Sequence, residues 1–561
     1  MEKFEQWYRN EKLDADLRKQ MDQMSDTEKR DAFYTELQFG TAGMRGLLGP
    51  GPNRMNIYTI RKANVGFAKY IASYGEEAKK RGVAIAYDNR YMSKEFASES
   101  ARILASFGIT SYLFDTLRPT PELSFAVREL NCYGGIVITA SHNPKEYNGY
   151  KVYDETGCQL VPELIEQVIG YVNEVTDELA IEVQLTEEQE ELIHLIGEEI
   201  DQKYYQKVLG IQLNSNQDKT GFKIVFTPQH GTSNEAVKSV LPTAGYELIP
   251  VKEQCDPDPA FSNTVTPNPE EKAAYNLAID YMKKYDAPIA IATDPDADRV
   301  GVVNYHDGEY HLLTGNQTGS ILIEYIFSQM KNQNKMPKRP VMFNTVVTSD
   351  LGEVVAKNYN VETEKTLTGF KFIGNKIAHY EQTKEKDFVF GYEESYGYLV
   401  QPFVRDKDAI QACLIIAEAA CYYHNLGKTL VDVLNELYDT YGYYNETQSS
   451  ITLAGEAGAN KIKEIIKELR EIMLEEIAGI KVIRKEDYGI SKAIEHGKES
   501  ILDFPKSDVI KYYLEDGSWI AVRPSGTEPK CKFYYCIRGN TQQEAIEKTE
   551  QLKQAMNQFA E

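Results

Sequence analysis

G-G-I-V-I-T-A-S-H-N-P, residues 134–144, runs from an apolar segment into a small residue, a hydroxyl and a proline turn. Gly134–Ile138 reads as a buried strand, and Thr139–Pro144 as the loop leaving its carboxyl end. Open α/β sheets bind ligands at that edge. Ser141 is therefore either a nucleophile or phosphate carrier presented at a sheet edge, or a capping serine in a tight turn. The hexapeptide alone leaves both open.

The same alternation continues outward. Val83–Tyr87, Ile136–Thr139, Lys223–Thr227, Ile289–Thr293, Val341–Asn344 and Phe388–Gly391 are short runs rich in Ile, Val and Phe, each leading into a polar loop. Helical patterns such as Thr59–Lys80 and Lys94–Phe107 lie between them. This is the pattern of α/β architecture. Three strand ends carry unusual polar clusters, at Thr139–Pro144, Asp294–Arg299 and Gly391–Tyr398, which predicts three related α/β domains donating loops to a common cleft. Their uneven spacing demonstrates no repeat. The acidic stretch Asp177–Asp201 reads as a solvated helical connection, and Lys331–Lys338 as a loop. The C-terminal part differs. An amphipathic helix over Lys461–Ile477, strands at Trp519–Val522 and Phe533–Ile537, and a helix started by Thr541 and Glu544 predict a smaller α+β domain.

Lys and Arg total 62 and Asp and Glu 85 in 561 residues, a net charge of −23. That balance argues against nucleic-acid and anionic-membrane partners, while a local basic pocket still admits a small anionic substrate. Seven cysteines without a C-x-x-C pair fit buried thiols in a reducing compartment. The first residues lack an apolar signal core. The most apolar helical stretch, Ala409–Tyr423, is interrupted by Gln411 and Glu418 and is too short to span a bilayer. The expected location is the cytoplasm; the oligomeric state stays open.

Several loops carry candidate chemistry. D-P-D-A-D-R (Asp294–Arg299) places Asp294, Asp296 and Asp298 at i, i+2 and i+4, on one side if the segment is extended. Three carboxylates without His or Cys suit Mg²⁺ and disfavour Zn²⁺; the alternative is a solvated acidic turn. Near a metal, Arg299 would pair with a phosphate or a carboxylate. In R-P-S-G-T-E-P-K (Arg523–Lys530), backbone N–H groups around Gly526, with Ser525, Thr527 and Arg523, can form an anion nest; a plain hairpin loop is the alternative. In G-Y-E-E-S-Y-G-Y, Glu393 and Ser395 would share one face of an extended segment and suit sugar hydroxyls, or form a polar edge turn. F-G-T-A-G-M-R-G (Phe39–Gly46) and T-G-F-K-F-I-G (Thr368–Gly374) are weaker signals, and the former has neither the dinucleotide nor the Walker spacing. Lys151 and Lys407 are candidate acid/base groups, and His142 could orient or activate Ser141 or simply cap the turn. No hydrolase triad spacing or G-x-S-x-G is present at Ser141.

Taken together and in order, these loops resemble the α-D-phosphohexomutase superfamily over nearly the whole chain. The resemblance implies three related mixed-sheet α/β domains, 1–205, 206–317 and 318–440, and a smaller mobile α+β domain, 441–561, around a central cleft. It implies a phosphoryl group on Ser141 in the resting enzyme, and Mg²⁺ held by Asp294, Asp296, Asp298 and a phosphoserine oxygen. Thr368, Gly369, Phe370, Glu393 and Ser395 would face the sugar, and Arg523, Ser525, Gly526 and Thr527 the non-reacting phosphate. Lys151 and Lys407 match proposed acid/base lysines, and Arg45 and Arg299 active-site arginines. The expected reaction interconverts glucose 1-phosphate and glucose 6-phosphate through glucose 1,6-bisphosphate. A lysine accepting the hydroxyl proton would need a lowered pKa. Ala42 and Met44 stand where many relatives carry Ser and a branched residue. The sugar loop reads E-E-S-Y rather than E-M-S-G-H, which favours glucose over mannose. Mannose or pentose phosphate mutases, a sugar-bisphosphate synthase and a silent sugar-phosphate sensor are the rivals.

Overall fold

The computed structural model describes residues 2–40, 43–453, 455–524 and 530–560, without the side chains at 455–457, 459 and 560. It forms two compact units. One comprises Met1–Thr318, Pro337–Pro340 and Phe370–Thr429; the other Gly319–Met336, Val341–Gly369 and Leu430–Glu561.

The first sheet of the first unit runs in the order Met44–Leu47, Tyr147–Asp154, Gly134–Ile138, Val83–Tyr87, Ser111–Phe114, Ile193–Ile196. Tyr147–Asp154 is antiparallel to both its neighbours, and the remaining pairs are parallel. Gly134–Ile138 and Val83–Tyr87 are buried at every position, which is why they read as continuous apolar runs rather than alternating ones. Ile57–Ser73, Ser93–Ser106 and Pro162–Asn173 bring Phe67, Ile71, Phe96, Leu104 and Val168 onto Ile85, Ile136 and Ile138. The helix expected over 59–80 is two helices. Ile57–Ser73 is started by Asn56, which accepts from the Tyr58 and Thr59 N–H groups, and Glu76–Arg81 follows Gly75 at φ +92°.

The acidic stretch 177–201 is not a helical connection throughout. Ile193–Ile196 within it is a strand paired in parallel with Ser111–Phe114. The open sheet edge takes up Ile193 and its neighbours despite the surrounding glutamates, because ladder hydrogen bonds and β-branched packing outweigh local charge.

The second sheet runs Glu309–Leu312, Val300–His306, Ile289–Thr293, Lys223–Thr227, Glu247–Pro250. It is also mixed, with Val300 opposite Thr293 across an antiparallel pair. Residues 294–299 are thus the tip of a hairpin. Further along, Asp387–Glu393 and Gly397–Leu399 form another hairpin, followed by the almost wholly buried helix Ala409–Asn425.

In the second unit, Val341 to Thr345 pair in parallel with Glu362–Thr366. The C-terminal sheet is antiparallel throughout, in the order Tyr443–Thr452, Lys530–Gly539, Trp519–Pro524, Ile510–Leu514, Ile480–Asp487, Lys492–Glu495, Lys498–Ile501. Helices Gly455–Glu471 and Gln542–Asn557 pack Ile462, Ile465, Leu469 and Leu552 against Val522, Phe533 and Ile537. The helix expected over 461–477 ends at Glu471, and Glu476–Ile477 is a short strand. Thr541 caps the last helix by accepting the Glu544 N–H, while Glu544 reaches back to the Asn540 N–H. All seven cysteines are buried and unbridged. Among the described residues no helix is long and apolar enough to cross a membrane.

Candidate active site

Ser141 leaves the carboxyl end of Gly134–Ile138 and is 3% exposed. Its backbone N–H donates to Thr139 Oγ1 at 2.8 Å, and its hydroxyl donates to Asp294 Oδ2 at 2.9 Å. The His142 Nδ1 atom is 3.2 Å from Ser141 Oγ. Burial, reinforced by the charges of Arg299 and Arg45, holds the imidazole well below its ordinary pKa. His142 is therefore neutral beside the serine.

The aspartates do not lie along an extended segment. Residues 294–299 curl at the hairpin tip: the Ala297 N–H donates to the Asp294 carbonyl, Ala297 takes φ +57°, and the Asp298 and Arg299 N–H groups donate to Asp294 Oδ1. Curling still converges the carboxylates. One oxygen from each of Asp294, Asp296 and Asp298 lies within 4.8 Å of the others, and all three side chains are buried. Burial, joined by the charges of Asp296 and Asp298, pushes Asp294 well above the usual carboxylate range. Burial also opposes ionisation of Asp296, but Lys151, Asp294 and Thr120 outweigh it and hold that carboxyl low.

The donor set fits a hard divalent cation. Among the described residues, Asp296 Oδ1 and Asp298 Oδ1 are buried and accept no hydrogen bond, an arrangement that costs stability unless a cation or donor satisfies it. All-oxygen carboxylate ligation suits Mg²⁺.

Two lysines bracket the cluster. Lys151, on Tyr147–Asp154, places Nζ 3.3 Å from Asp296 Oδ2 and 3.9 Å from Asp298 Oδ2. Lys407 Nζ lies 3.2 Å from Asp298 Oδ2 and 3.4 Å from Asp406 Oδ1. Burial alone would lower the Lys407 pKa, but Asp298, Asp406 and Glu393 overcome it and hold the ammonium above its ordinary value. The lowered pKa expected of a proton-accepting lysine is thus not found at Lys407, because three carboxylates face it.

Arg45 Nη1 donates to Asn143 Oδ1 at 2.9 Å, which ties the N-terminal loop to the serine loop. Arg299 Nη1 is 2.6 Å from Glu270 Oε1, so a carboxylate answers this guanidinium. Phe370 lies beside Lys407, with Nζ 5.8 Å from the ring centroid. Glu393 ends its strand, is buried, and contributes to the field at both Lys407 and Arg299. Ser395 does not share an extended face with it. Glu393 pairs with Gly397, so residues 394–396 form the hairpin turn, with Tyr396 at φ +68°.

In the second unit, Thr368 and Gly369 follow the strand Glu362–Thr366, and Arg523 lies near the end of Trp519–Pro524, opposite Lys532. Ser525, Gly526 and Thr527, expected in the phosphate loop, lie outside the described residues, as does Ala42.

Several residues that shape this site escaped sequence reasoning. Thr120 Oγ1 donates to Asp296 Oδ2 and its N–H to the Asp296 carbonyl, each at 2.8 Å. Its signal was R-P-T-P-E, a proline-bracketed threonine at a helix start. Glu270, within N-P-E-E, holds Arg299. Asp406 sits immediately before Lys407 and also accepts from the Tyr153 hydroxyl at 2.7 Å.

A serine hydroxyl bonded into an aspartate cluster, with cations packed around both at strand ends of mixed sheets, is the arrangement of an α/β phosphotransfer enzyme. The chain belongs to the phosphoglucomutase/phosphomannomutase family. Its α/β/α domains I, II and III match residues 36–178, 202–308 and 314–441, and its C-terminal domain matches 461–548. The chain is 41% identical over 515 residues to a phosphoglucomutase of Staphylococcus epidermidis, covering 91% of this chain and 92% of the relative. To a phosphoglucomutase of Staphylococcus aureus it is 40% identical over 522 residues, 92% of each. Its fold is similar to that of the phosphoglucomutase parafusin from Paramecium in its open form, with a TM-score of 0.67, 18% identity, and coverage of 94% and 96%.

Proposed function

We propose that this chain is a phosphoglucomutase, interconverting glucose 1-phosphate and glucose 6-phosphate. The observation that carries the reading is the hydrogen bond from Ser141 Oγ to Asp294, within a carboxylate cluster that fits Mg²⁺. The identity to staphylococcal phosphoglucomutases supports glucose as the sugar.

In this reading Ser141 carries the phosphoryl group. Its P–O bond breaks as a bond forms to a sugar hydroxyl, giving glucose 1,6-bisphosphate; the other phosphate then returns to Ser141. Asp294, Asp296 and Asp298 would hold Mg²⁺, which when bound supplies charge neutralisation at the phosphoryl oxygens. Lys407, kept protonated by its carboxylates, serves as a fixed cation beside the transferring group. Lys151 is the proposed group that takes the hydroxyl proton and later returns it. Arg45 orients Asn143 and the serine loop, and His142 stays a neutral hydrogen-bonding neighbour. Thr368, Gly369, Phe370, Glu393 and Ser395 are proposed for the sugar. Arg299, Arg523, Ser525, Gly526 and Thr527 are proposed for phosphate, and the proposed domains are 1–205, 206–317, 318–440 and 441–561.

The test is a mutase assay with Mg²⁺ and catalytic glucose 1,6-bisphosphate on glucose, mannose and pentose 1-phosphates. The glucose substrate is expected to have the highest kcat/KM. A pentose or mannose phosphate leading by an order of magnitude would overturn the assignment.

A further inference from the structure

Ser141 is held in a conformation that serine does not favour. Its φ is +52°, in the left-handed region where the side chain of an L-residue crowds the backbone. Such a residue persists only where its surroundings over-determine it. Thr139 supplies one restraint by accepting the Ser141 N–H. The larger restraint comes from Arg90, in the D-N-R segment that follows the strand Val83–Tyr87.

The Arg90 guanidinium is fully buried and spends its terminal donors on backbone carbonyls of the serine loop. Nη2 donates to the Ser141 carbonyl at 2.5 Å and the Asn143 carbonyl at 2.6 Å. Nη1 donates to the carbonyls of Pro144 at 2.8 Å and Tyr147 at 3.2 Å. Asp88 supplies the counter-charge behind the fork, with Oδ2 at 3.2 Å from Arg90 Nε in an ion pair without hydrogen-bond geometry, and both side chains are fully buried. Asp88 Oδ1 in turn accepts from the Arg90 N–H at 3.0 Å and the Ser93 hydroxyl at 2.7 Å. A planar guanidinium can bridge carbonyls facing in several directions; an ammonium on a flexible stem cannot hold the same geometry.

We propose that Arg90, backed by Asp88, is a positioning residue for phosphoryl transfer: it clamps the loop 141–147 so that the Ser141 oxygen stays aimed at the aspartate cluster. This inference rests on the phosphoserine reading above. Arg90 gives its terminal donors to the backbone, so its effect falls on the alignment of the transferring group and leaves ground-state binding intact. Misalignment by about 1 Å is enough to cost roughly 100-fold in rate.

The test uses full-length wild type, Arg90→Lys and Asp88→Asn. Thermal midpoints establish folding, titration with glucose 1-phosphate gives binding, and intact mass after glucose 1,6-bisphosphate gives phosphoserine content. Arg90→Lys is expected to lose about 100-fold in kcat and Asp88→Asn about 10-fold, with glucose 1-phosphate affinity within about threefold of wild type. Should Arg90→Lys fail to fold, Asp88→Asn decides alone. A folded variant with wild-type kcat overturns the clamp, as does a loss of affinity equal to the loss of kcat. If the wild type neither acquires phosphate nor turns over glucose 1-phosphate, it is the functional reading that fails. Wild-type turnover with unimpaired variants sinks the clamp alone.

Discussion

Ser141 Oγ and Asp294 Oδ2 are 2.9 Å apart although 153 positions separate them in sequence. Each stands at the carboxyl end of a buried strand, Gly134–Ile138 in one mixed sheet and Ile289–Thr293 in another. Two sheets thus place their strand-end loops against one another, and Thr120 adds a second link to the same cluster. A hydroxyl in that position joins the carboxylate set on which a metal would sit, which is what a phosphoryl carrier requires.

Ser141→Ala follows directly. In the proposed mechanism Ser141 is the covalent carrier, so its loss is expected to remove turnover by roughly 10⁵- to 10⁶-fold, the scale seen when a nucleophile is deleted. The variant is expected to acquire no phosphate from glucose 1,6-bisphosphate by intact mass. Turnover within tenfold of wild type would remove Ser141 from the mechanism.

The parts of this site that could be read from sequence are those built from contiguous residues. The strand Ile289–Thr293 and its three aspartates stand out because burial on both faces makes the strand uniformly apolar and the carboxylates follow at once. What was hidden depends on distant partners or on turn geometry. Nothing near Thr120 indicates that its hydroxyl meets an aspartate of another sheet, and nothing near Glu270 indicates Arg299. Alternation in E-E-S-Y suggested a shared face for Glu393 and Ser395, but the pairing of Glu393 with Gly397 makes Ser395 a turn residue. The strand Ile193–Ile196 was masked by neighbouring glutamates, since only the sheet edge it joins makes it a strand.

Thr120→Val removes the hydroxyl that steadies Asp296 and leaves the Thr120 backbone bond to the same residue in place. Partners behind metal ligands typically contribute 10- to 100-fold in affinity or activity. The Mg²⁺ concentration for half-maximal activity should rise by about that factor, with little change in activity at saturating Mg²⁺. Chelation should silence both proteins, and readdition of Mg²⁺ should restore them. An unchanged Mg²⁺ requirement in the variant would show that Asp296 needs no such support.

Lys151 and Lys407 can be told apart by arginine, which keeps the charge but does not release a proton at accessible pH. Lys407 is held protonated among Asp298, Asp406 and Glu393, so Lys407→Arg should retain kcat/KM within about tenfold. Lys151→Arg should lose about 10²- to 10⁴-fold if that amine handles the hydroxyl proton. The reverse order would exchange the two roles.

Lys511 gives a pH-dependent prediction in the second unit. Its Nζ is fully buried, donates to the Val346 carbonyl at 2.8 Å, and lies 3.9 Å from the Trp519 ring centroid and 4.6 Å from that of Tyr513. Burial pulls its pKa down to about 8 from an ordinary 10.5, only partly offset by Asp350. Below pH 8 the lysine is protonated in both folded and unfolded chains, and the cost of burying the cation is fully present. Between about pH 8 and 10.5 the unfolded chain holds more protons, so stability contributed here rises with pH. The span corresponds to a difference on the order of 3 kcal/mol. Lys511→Met removes that titration, so the difference in thermal midpoint between variant and wild type should shrink or change sign in the wild type's favour as pH rises from 7 to 9.5. A difference independent of pH would mean that Lys511 is not titrating in the folded chain over that range.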